Sequence, residues 1–322
     1  MELRPLGHAP LGVTPIGIGC WQFSNRKNIA GLFWPALDTV PHRDIIRAAL
    51  DGGVNWFDTA EMYGKGASEQ AVAEGLAAAG RKPGDVLVAT KWSPFLRFAG
   101  NMRKTVRERI RRLDPYPVGL YQVHSPAALS PVPSLMKVLA ELIDYDEIQA
   151  AGVSNFSADQ MRRAHAALAA HGHPLASNQV EYNLFNRRIE HNGVLDAAKE
   201  LGVTIIAYSP LAMGLLSGKF HDDPGLIKSR PGLRKYMSNY RRSGLRKTQP
   251  LIDALREIAE HHGATPAQVA LNWLVHFHGD TVVAIPGATK VRHAQDNVKA
   301  LSFTLSQEEL HRLDAVSQTL ME

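Results

Sequence analysis

Eight short apolar runs, separated by segments whose apolar residues recur at helical spacing, set the terms for any fold of this chain. The runs are residues 16–19, 54–57, 86–90, 119–123, 148–153, 177–180, 203–207 and 282–285. Helical patterns fill the gaps at 42–51, 68–79, 102–113, 133–144, 158–170, 192–201 and 266–276, and a last one lies near 306–316. Runs that stay apolar at consecutive positions belong to strands covered on both faces, and alternation with helices makes those strands parallel. Eight such units predict a closed (β/α)8 barrel forming one domain over residues 1–322, with long active-face loops and a C-terminal helix. The competing architecture, an open doubly wound sheet, lacks its fingerprint: Gly17-Ile18-Gly19-Cys20-Trp21-Gln22 starts as G-x-G-x-x-G and ends on glutamine.

Two stretches, 22–41 and 209–249, have no clear periodicity and follow strand ends, where a barrel carries its functional loops. One cysteine, Cys20, excludes an internal disulfide. No apolar run approaches the roughly 20 residues of a membrane helix. The N-terminus is broken by Pro5, Gly7, Pro10, Gly12 and Pro15 rather than built as a signal peptide. The expectation is a cytoplasmic protein with no membrane partner. A net charge of +5 names no anionic partner.

The basic stretch 228–247, with Tyr236 and Tyr240 interleaved, reads either as a nucleic-acid surface or as a solvated loop beside an anionic ligand. No recognised nucleic-acid module surrounds it, so the loop is expected and nucleic acid is not. The arginines of 102–113 read as an outer, solvated helix face. The 14 histidines include the pairs His171/His173, His261/His262 and His276/His278, none with companion ligands at metal spacing, so no metal is expected. Gly214 to Lys219 lacks the spacing and hydroxyl of a P-loop, and Ser134 to Lys137 has no companion hydrolase motif.

In a barrel all strands end on one face, so residues just past the apolar runs become neighbours. Here they are Cys20 and Trp21, Asp58, Lys91, His124, Ser154 and Asn155, Gln179, and Tyr208 and Ser209, with Tyr63 five residues beyond Asp58. Each alone can simply mark a strand-to-loop boundary. Together, Asp58, Tyr63, Lys91 and His124 make an acid. A free phenol, with a pKa of about 10, is a poor donor near neutrality, and an adjacent ammonium lowers it. Asp58 would hold the Lys91 charge, and His124 would hydrogen-bond a carbonyl oxygen.

The segment Gly53-Val54-Asn55-Trp56-Phe57-Asp58-Thr59-Ala60-Glu61-Met62-Tyr63-Gly64, followed by Ser68-Glu69, resembles the first signature of the aldo-keto reductases. Lys91 after its strand and Tyr121-Gln122-Val123-His124 are similar to the family's lysine and histidine. The resemblance covers nearly the whole chain. It implies NADP(H)-dependent reduction of aldehydes or ketones, by hydride transfer from nicotinamide C4 with Tyr63 as proton donor. It also implies that Ser154, Asn155 and Gln179 hold the nicotinamide carboxamide and that Tyr208 stacks on the ring. The loop with Ser209, Leu211, Gly214, Leu215, Ser217 and Lys219 would wrap the pyrophosphate, as oriented backbone amides do. Gly287, Lys290, Arg292, His293, Asp296 and Asn297 would take the adenosine end, with the cations on a 2′-phosphate. His293 stands where many relatives have arginine.

Trp21, Trp92 and either Phe33 or Trp34 would line the pocket for a small-molecule carbonyl substrate, or else serve as packing anchors. The alternative function is a cofactor-binding regulatory subunit with little turnover, as in the related β subunits of potassium channels. A phosphate-binding barrel isomerase is a third reading.

Overall fold

The computed structural model describes residues 2–24, 41–228 and 240–320. An antiparallel pair, β1 (Arg4–Pro5) and β2 (Gly12–Val13), precedes the repeating units. These run β3 (Ile18–Gly19), α1 (His42–Asp51), β4 (Trp56–Asp58), α2 (Ala67–Ala78), β5 (Leu87–Trp92), α3 (Asn101–Leu113) and β6 (Val118–Val123). They continue through α4 (Val132–Asp144), β7 (Ala150–Ser154), α5 (Ala158–Ala169), β8 (Leu175–Glu181), α6 (Val194–Leu201) and β9 (Thr204–Tyr208). Short helices α7 (Lys219–Asp222) and α8 (Gly225–Lys228) follow. The described chain closes with α9 (Arg242–His261), α10 (Pro266–His276), β10 (Val282–Ala284), α11 (Val291–Lys299) and α12 (Gln307–Gln318).

Strands β3 to β10 pair in sequence order, all parallel. The ends meet: Gly17 N donates to Ala284 O and Ala284 N to Pro15 O, both at 2.9 Å, and Gly19 bridges Gly287. The sheet is therefore the expected barrel. Three helices begin where the sequence supplies a reciprocal cap. Ser157 with Gln160, Thr265 with Gln268 and Ser306 with Glu309 each satisfy two otherwise orphaned amides. Pro266 adds a fixed φ in the first turn of α10.

Side-chain alternation divides the apolar residues into two cores. Outward residues pack against the helices as one continuous layer. Inward residues Trp56, Ala89, Leu120, Ala150, Ile206 and Val283 fill the lower barrel. The N-terminal pair seals the floor with Leu6, Ala9 and Val13, at about 1.5–3 kcal/mol for burying a side chain the size of Leu6. Arg4 pins that segment, donating to the carbonyls of Val275 (2.5 Å) and Val282 (2.7 Å).

The described parts of the stretch 209–249, residues 209–228 and 240–249, carry regular structure that their composition does not announce. They enter a 3-10 turn (Ala212–Ser217), α7, α8 and the first turns of α9. Pro250 and Gly244 inside α9 read as helix breakers, but the helix is held by its buried face: Leu245, Leu251, Ile252, Leu255 and Ile258, packed on α10 and α12. Tyr240, expected in a solvated basic loop, is buried against Phe220 (5.4 Å, edge-on) and donates to Met213 O at 3.2 Å. Arg241, Arg242, Arg246 and Lys247 are exposed at the start of α9. Arg230, Arg234, Lys235 and Tyr236, like Phe33 and Trp34, lie outside the described residues.

Arg109 departs from the solvated face expected of its helix. It is buried, placing Nη1 3.2 Å from Glu61 and Nε 3.0 Å from Glu69. Several histidines meet single acidic partners: His173 with Asp144 at 2.8 Å, His262 with Glu309 at 3.0 Å and His278 with Glu190 at 3.3 Å. Among the described residues no helix is long and apolar enough to cross a membrane.

Candidate active site

The inward-facing rows change character with height. Trp56 gives way to Asp58 on β4, Ala89 to Lys91 on β5, and Leu120 to Gln122 and then His124 on β6, while Ile206 gives way to Tyr208 on β9. Each polar residue lies an even number of positions above an inward apolar one, so the pleat aims it at the barrel axis. Register aligns them laterally, with Asp58 opposite Ala89 and Lys91 opposite Gln122.

Lys91 is fully buried and spends its ammonium on three oxygens. It donates to Asp58 Oδ1, to Thr59 O at 2.8 Å and to the Tyr63 hydroxyl at 3.5 Å. The turn after β4 brings Tyr63 back over the strand ends, where it meets Trp21 edge-on at 4.7 Å and His124 at 5.8 Å. The structure thus brings together Asp58, Tyr63, Lys91 and His124, with Trp21 beside them.

Burial alone would drive the Lys91 proton off, but Asp58, and then Tyr63, more than offset it and hold the pKa above the ordinary lysine value. The expected acidification of Tyr63 is not what the balance gives. Burial raises the phenol, Lys91 draws it down, and Asp58 behind Lys91 cancels part of that pull, so the net direction is upward. His124 goes the other way: burial, then the Lys91 charge, push it down to about 3, leaving a neutral imidazole.

A ring of amides and hydroxyls surrounds the four. Gln179 and Gln122 both donate to Asp58 Oδ2, at 2.9 and 3.1 Å. Ser154 Oγ donates to Gln179 O at 2.9 Å. Asn155, left-handed at φ 60, donates to Ser154 Oγ at 3.0 Å and accepts from the Tyr208 hydroxyl at 3.1 Å. Ser154, Asn155, Gln179 and Tyr208 are therefore contiguous. Gln122 escaped the sequence reading because it sits inside an apolar run; the available signal was its shared parity with His124.

Past β9 the backbone turns left-handed at Ser209 (φ 51), Ala212 (φ 46), Met213 (φ 55) and Gly214 (φ 93), conformations that non-glycine residues adopt only under constraint. Ser217 Oγ closes the turn onto Gly214 O at 2.7 Å. Leu211 packs on the outer core, and the Leu215 side chain is buried with Phe220, Ile227, Tyr240 and Leu245, so Leu215 can offer a ligand only its backbone.

A second concentration of charge lies at the start of α11, which Lys290 precedes as N-cap and which follows Gly287. Burial, then the charges of Arg292, Lys219 and Lys290, depress the His293 pKa, against an opposing pull from Asp296. Those three cations thus converge from two separate segments, Lys219 at the start of α7 and Lys290 and Arg292 at the start of α11. Asn297 is buried and its amide nitrogen has no hydrogen-bond partner among the described residues.

Trp92 does not line the site. It is one residue off the parity of Lys91, so it points outward into the helix-facing core, fully buried, with Nε1 donating to Asn101 at 3.0 Å. The buried group behind the Tyr63 turn, Glu61, Glu69 and Arg109, was also unforeseen. Glu61 accepts from Ser93 N at 2.8 Å and from Arg97 at 2.5 Å, fixing the turn two residues before Tyr63.

Comparison with known proteins places this geometry. The model of the aldo/keto reductase family matches residues 15–318. An uncharacterized oxidoreductase of Mycobacterium tuberculosis (strain ATCC 25618 / H37Rv) is 40% identical over 297 residues, covering 91% of this chain and 86% of that protein. The chloroplastic pyridoxal reductase of Arabidopsis thaliana is 33% identical over 322 residues, covering 95% of this chain and 83% of that one. A crystal structure of an aldo/keto reductase from Klebsiella pneumoniae in complex with NADP and acetate superposes with a TM-score of 0.73 at 26% identity, covering 98% of this chain and 96% of that chain.

Proposed function

This chain belongs to the aldo/keto reductase family of oxidoreductases, and from that premise we propose that it reduces small-molecule aldehydes or ketones to alcohols with NADPH. The observation that carries the reading is the Lys91 ammonium, buried and shared among Asp58, Thr59 O and the Tyr63 hydroxyl, with the His124 ring 5.8 Å from that of Tyr63.

The residues present fit the dinucleotide. The Lys219, Lys290 and Arg292 charges suit a 2′-phosphate, the unpaired Asn297 amide suits the adenosine end, and the left-handed turn at 212–214 suits a pyrophosphate. Ser154, Asn155 and Gln179 would hold the carboxamide, with Tyr208 against the ring. When bound, NADPH supplies the hydride that reduces the carbonyl carbon.

The chain supplies the rest. Tyr63 gives its hydroxyl proton to the carbonyl oxygen as negative charge develops there. Lys91 stabilises the phenolate left behind, and Asp58 keeps Lys91 charged. His124, neutral across the working pH range, donates from its imidazole N–H to the same oxygen.

Exposed Met62, Phe95, Leu96, Phe98 and Leu129 stand on the loops that follow β4, β5 and β6, the strands that carry Asp58, Lys91 and Gln122. Leu129 N donates to Arg97 O at 3.0 Å and Arg97 pairs with Glu61, tying these loops into one rim. The rim supports carbonyl compounds with apolar bodies over sugars. The test is NADPH consumption across aromatic and aliphatic aldehydes, ketones, sugars and pyridoxal. Turnover is expected, fastest on apolar carbonyls. Tight NADPH binding without turnover on any of them would replace this reading with that of a regulatory subunit.

A further inference from the structure

We propose that Gln122 is a positioning residue for proton donation: its amide fixes the Asp58 carboxylate that holds Lys91, and goes on fixing it when Gln179 turns to the nicotinamide. The proposal rests on the reading of the site as that of an NADPH-dependent reductase.

Gln122 lies one residue from the C-terminal end of β6 with no exposure, one inward position below His124 and in register with Lys91. A buried primary amide costs about 1–3 kcal/mol when its groups go unmatched, so an apolar residue would serve the barrel better if filling were the only need. Among the described residues its side-chain hydrogen bonds run to the site alone. Nε2 donates to Asp58 Oδ2 at 3.1 Å, and Oε1 accepts from Gln179 Nε2 at 3.3 Å. The neighbouring strand makes room for it: a Cβ added at Gly152 would lie 3.0 Å from Gln122 Cγ and 2.5 Å from Ser177 Oγ.

The two oxygens of Asp58 are thus divided. Oδ1 faces Lys91, while Oδ2 receives Gln179 at 2.9 Å and Gln122 at 3.1 Å. Gln179 is needed by the carboxamide and cannot serve both partners fully; Gln122 has no second employer. With the distal oxygen anchored by Gln122, the carboxylate cannot swing and drag the ammonium away from Tyr63. Loss of this donor also removes positive potential from Asp58, leaving its negative charge less screened and Tyr63 a weaker acid. The groups facing Tyr63 are Lys91, Asp58, Cys20, His124 and Tyr208.

The experiment compares Gln122→Met, which keeps the volume without the amide, and Gln122→Glu. The readouts are kcat and its pH profile, NADPH Kd by nicotinamide fluorescence, and tyrosinate absorbance of the protein without cofactor, with Tyr63→Phe subtracted. Gln122→Met is expected to lower kcat about tenfold or more, as for a hydrogen bond to a charged group. NADPH Kd should stay within about threefold, and Tyr63 should ionise at higher pH. Gln122→Glu should regain activity as pH falls, because its protonated form again offers Asp58 an O–H, whereas Gln122→Met should not. A loss of kcat matched by loss of folded protein, with pH profile and Tyr63 titration unmoved, overturns the proposal, as does a Kd that weakens in step with kcat. Failure of the reductase reading is separable: wild-type protein would then turn over no carbonyl compound, whereas the tyrosinate titration needs neither cofactor nor turnover.

Discussion

The Lys91 ammonium stands 3.5 Å from the Tyr63 hydroxyl, its other contacts going to Asp58 and Thr59 O. Lysine is thereby placed to receive the charge that Tyr63 acquires on giving up its proton, more than to loosen that proton beforehand. Tyr63→Phe removes the donor and leaves the cation and its carboxylate in place. The rate of NADPH-dependent reduction should fall by two orders of magnitude or more, with NADPH affinity within about threefold of wild type. Parallel stopped-flow and fluorescence titrations check this, and an unchanged rate refutes the assignment.

His124 is held down to about 3 by burial and by Lys91. The folded protein therefore binds fewer protons at this position than the unfolded chain between about 3 and 6.5, so the stability tied to it declines as pH drops through that window. No kinetic limb between pH 5 and 8 should belong to His124. Imidazole NMR shifts that stay flat over that range, compared with His124→Ala for assignment, would bear this out; a midpoint near 6.5 would contradict it.

Glu69 shows the opposite sign. Burial, opposed first by Arg109 and then by Thr90, lifts its pKa to about 7. The folded state holds this proton where the unfolded chain has released it, so the contribution is fully present below about 4.5 and is lost as pH rises to about 7. Urea unfolding of Glu69→Gln should give stability that varies less with pH over this window than wild type does. Equal slopes would show that Glu69 titrates normally.

Arg109 joins the buried carboxylates of Glu61 and Glu69. Arg109→Met leaves Glu61 to Arg97 and Ser93 N and deprives Glu69 of its paired cation, at a cost of up to about 3–5 kcal/mol. Thermal unfolding should show a clear drop in Tm, larger than that of Arg107→Met on the exposed side of the same helix. Comparable losses from the two variants would mean that the buried group carries no special weight.

Lys290 caps α11 among the cations around His293. Lys290→Ala should weaken NADPH about tenfold or more while NADH changes little, since only the former carries the 2′-phosphate. Matched losses for both dinucleotides, measured by fluorescence titration, would remove Lys290 from that role.

The barrel was readable because parallel strands covered on both faces leave continuous apolar runs, and α1 and α10 begin and end where their patterns do. What escaped had a shared cause: position relative to the pleat or to a packed face outweighs residue type. Trp92 looked like a pocket wall by chemistry and is core by parity; Gln122 looked like part of a strand filler and faces Asp58. Arg109 is basic on a basic helix yet points inward. Helix α9 was hidden by Pro250, which tertiary packing tolerates, and α11 by its polarity, with only Ala294 and Asn297 buried.

The hairpin that Arg4 anchors beneath the strands makes the cylinder a blind vessel rather than a tunnel. Everything that reaches Tyr63 must arrive and depart through the same doorway, so traffic there is sequential by construction. On the proposed reading, nucleotide is expected to seat before the carbonyl compound and alcohol to leave before the spent nucleotide, an order that product-inhibition patterns check.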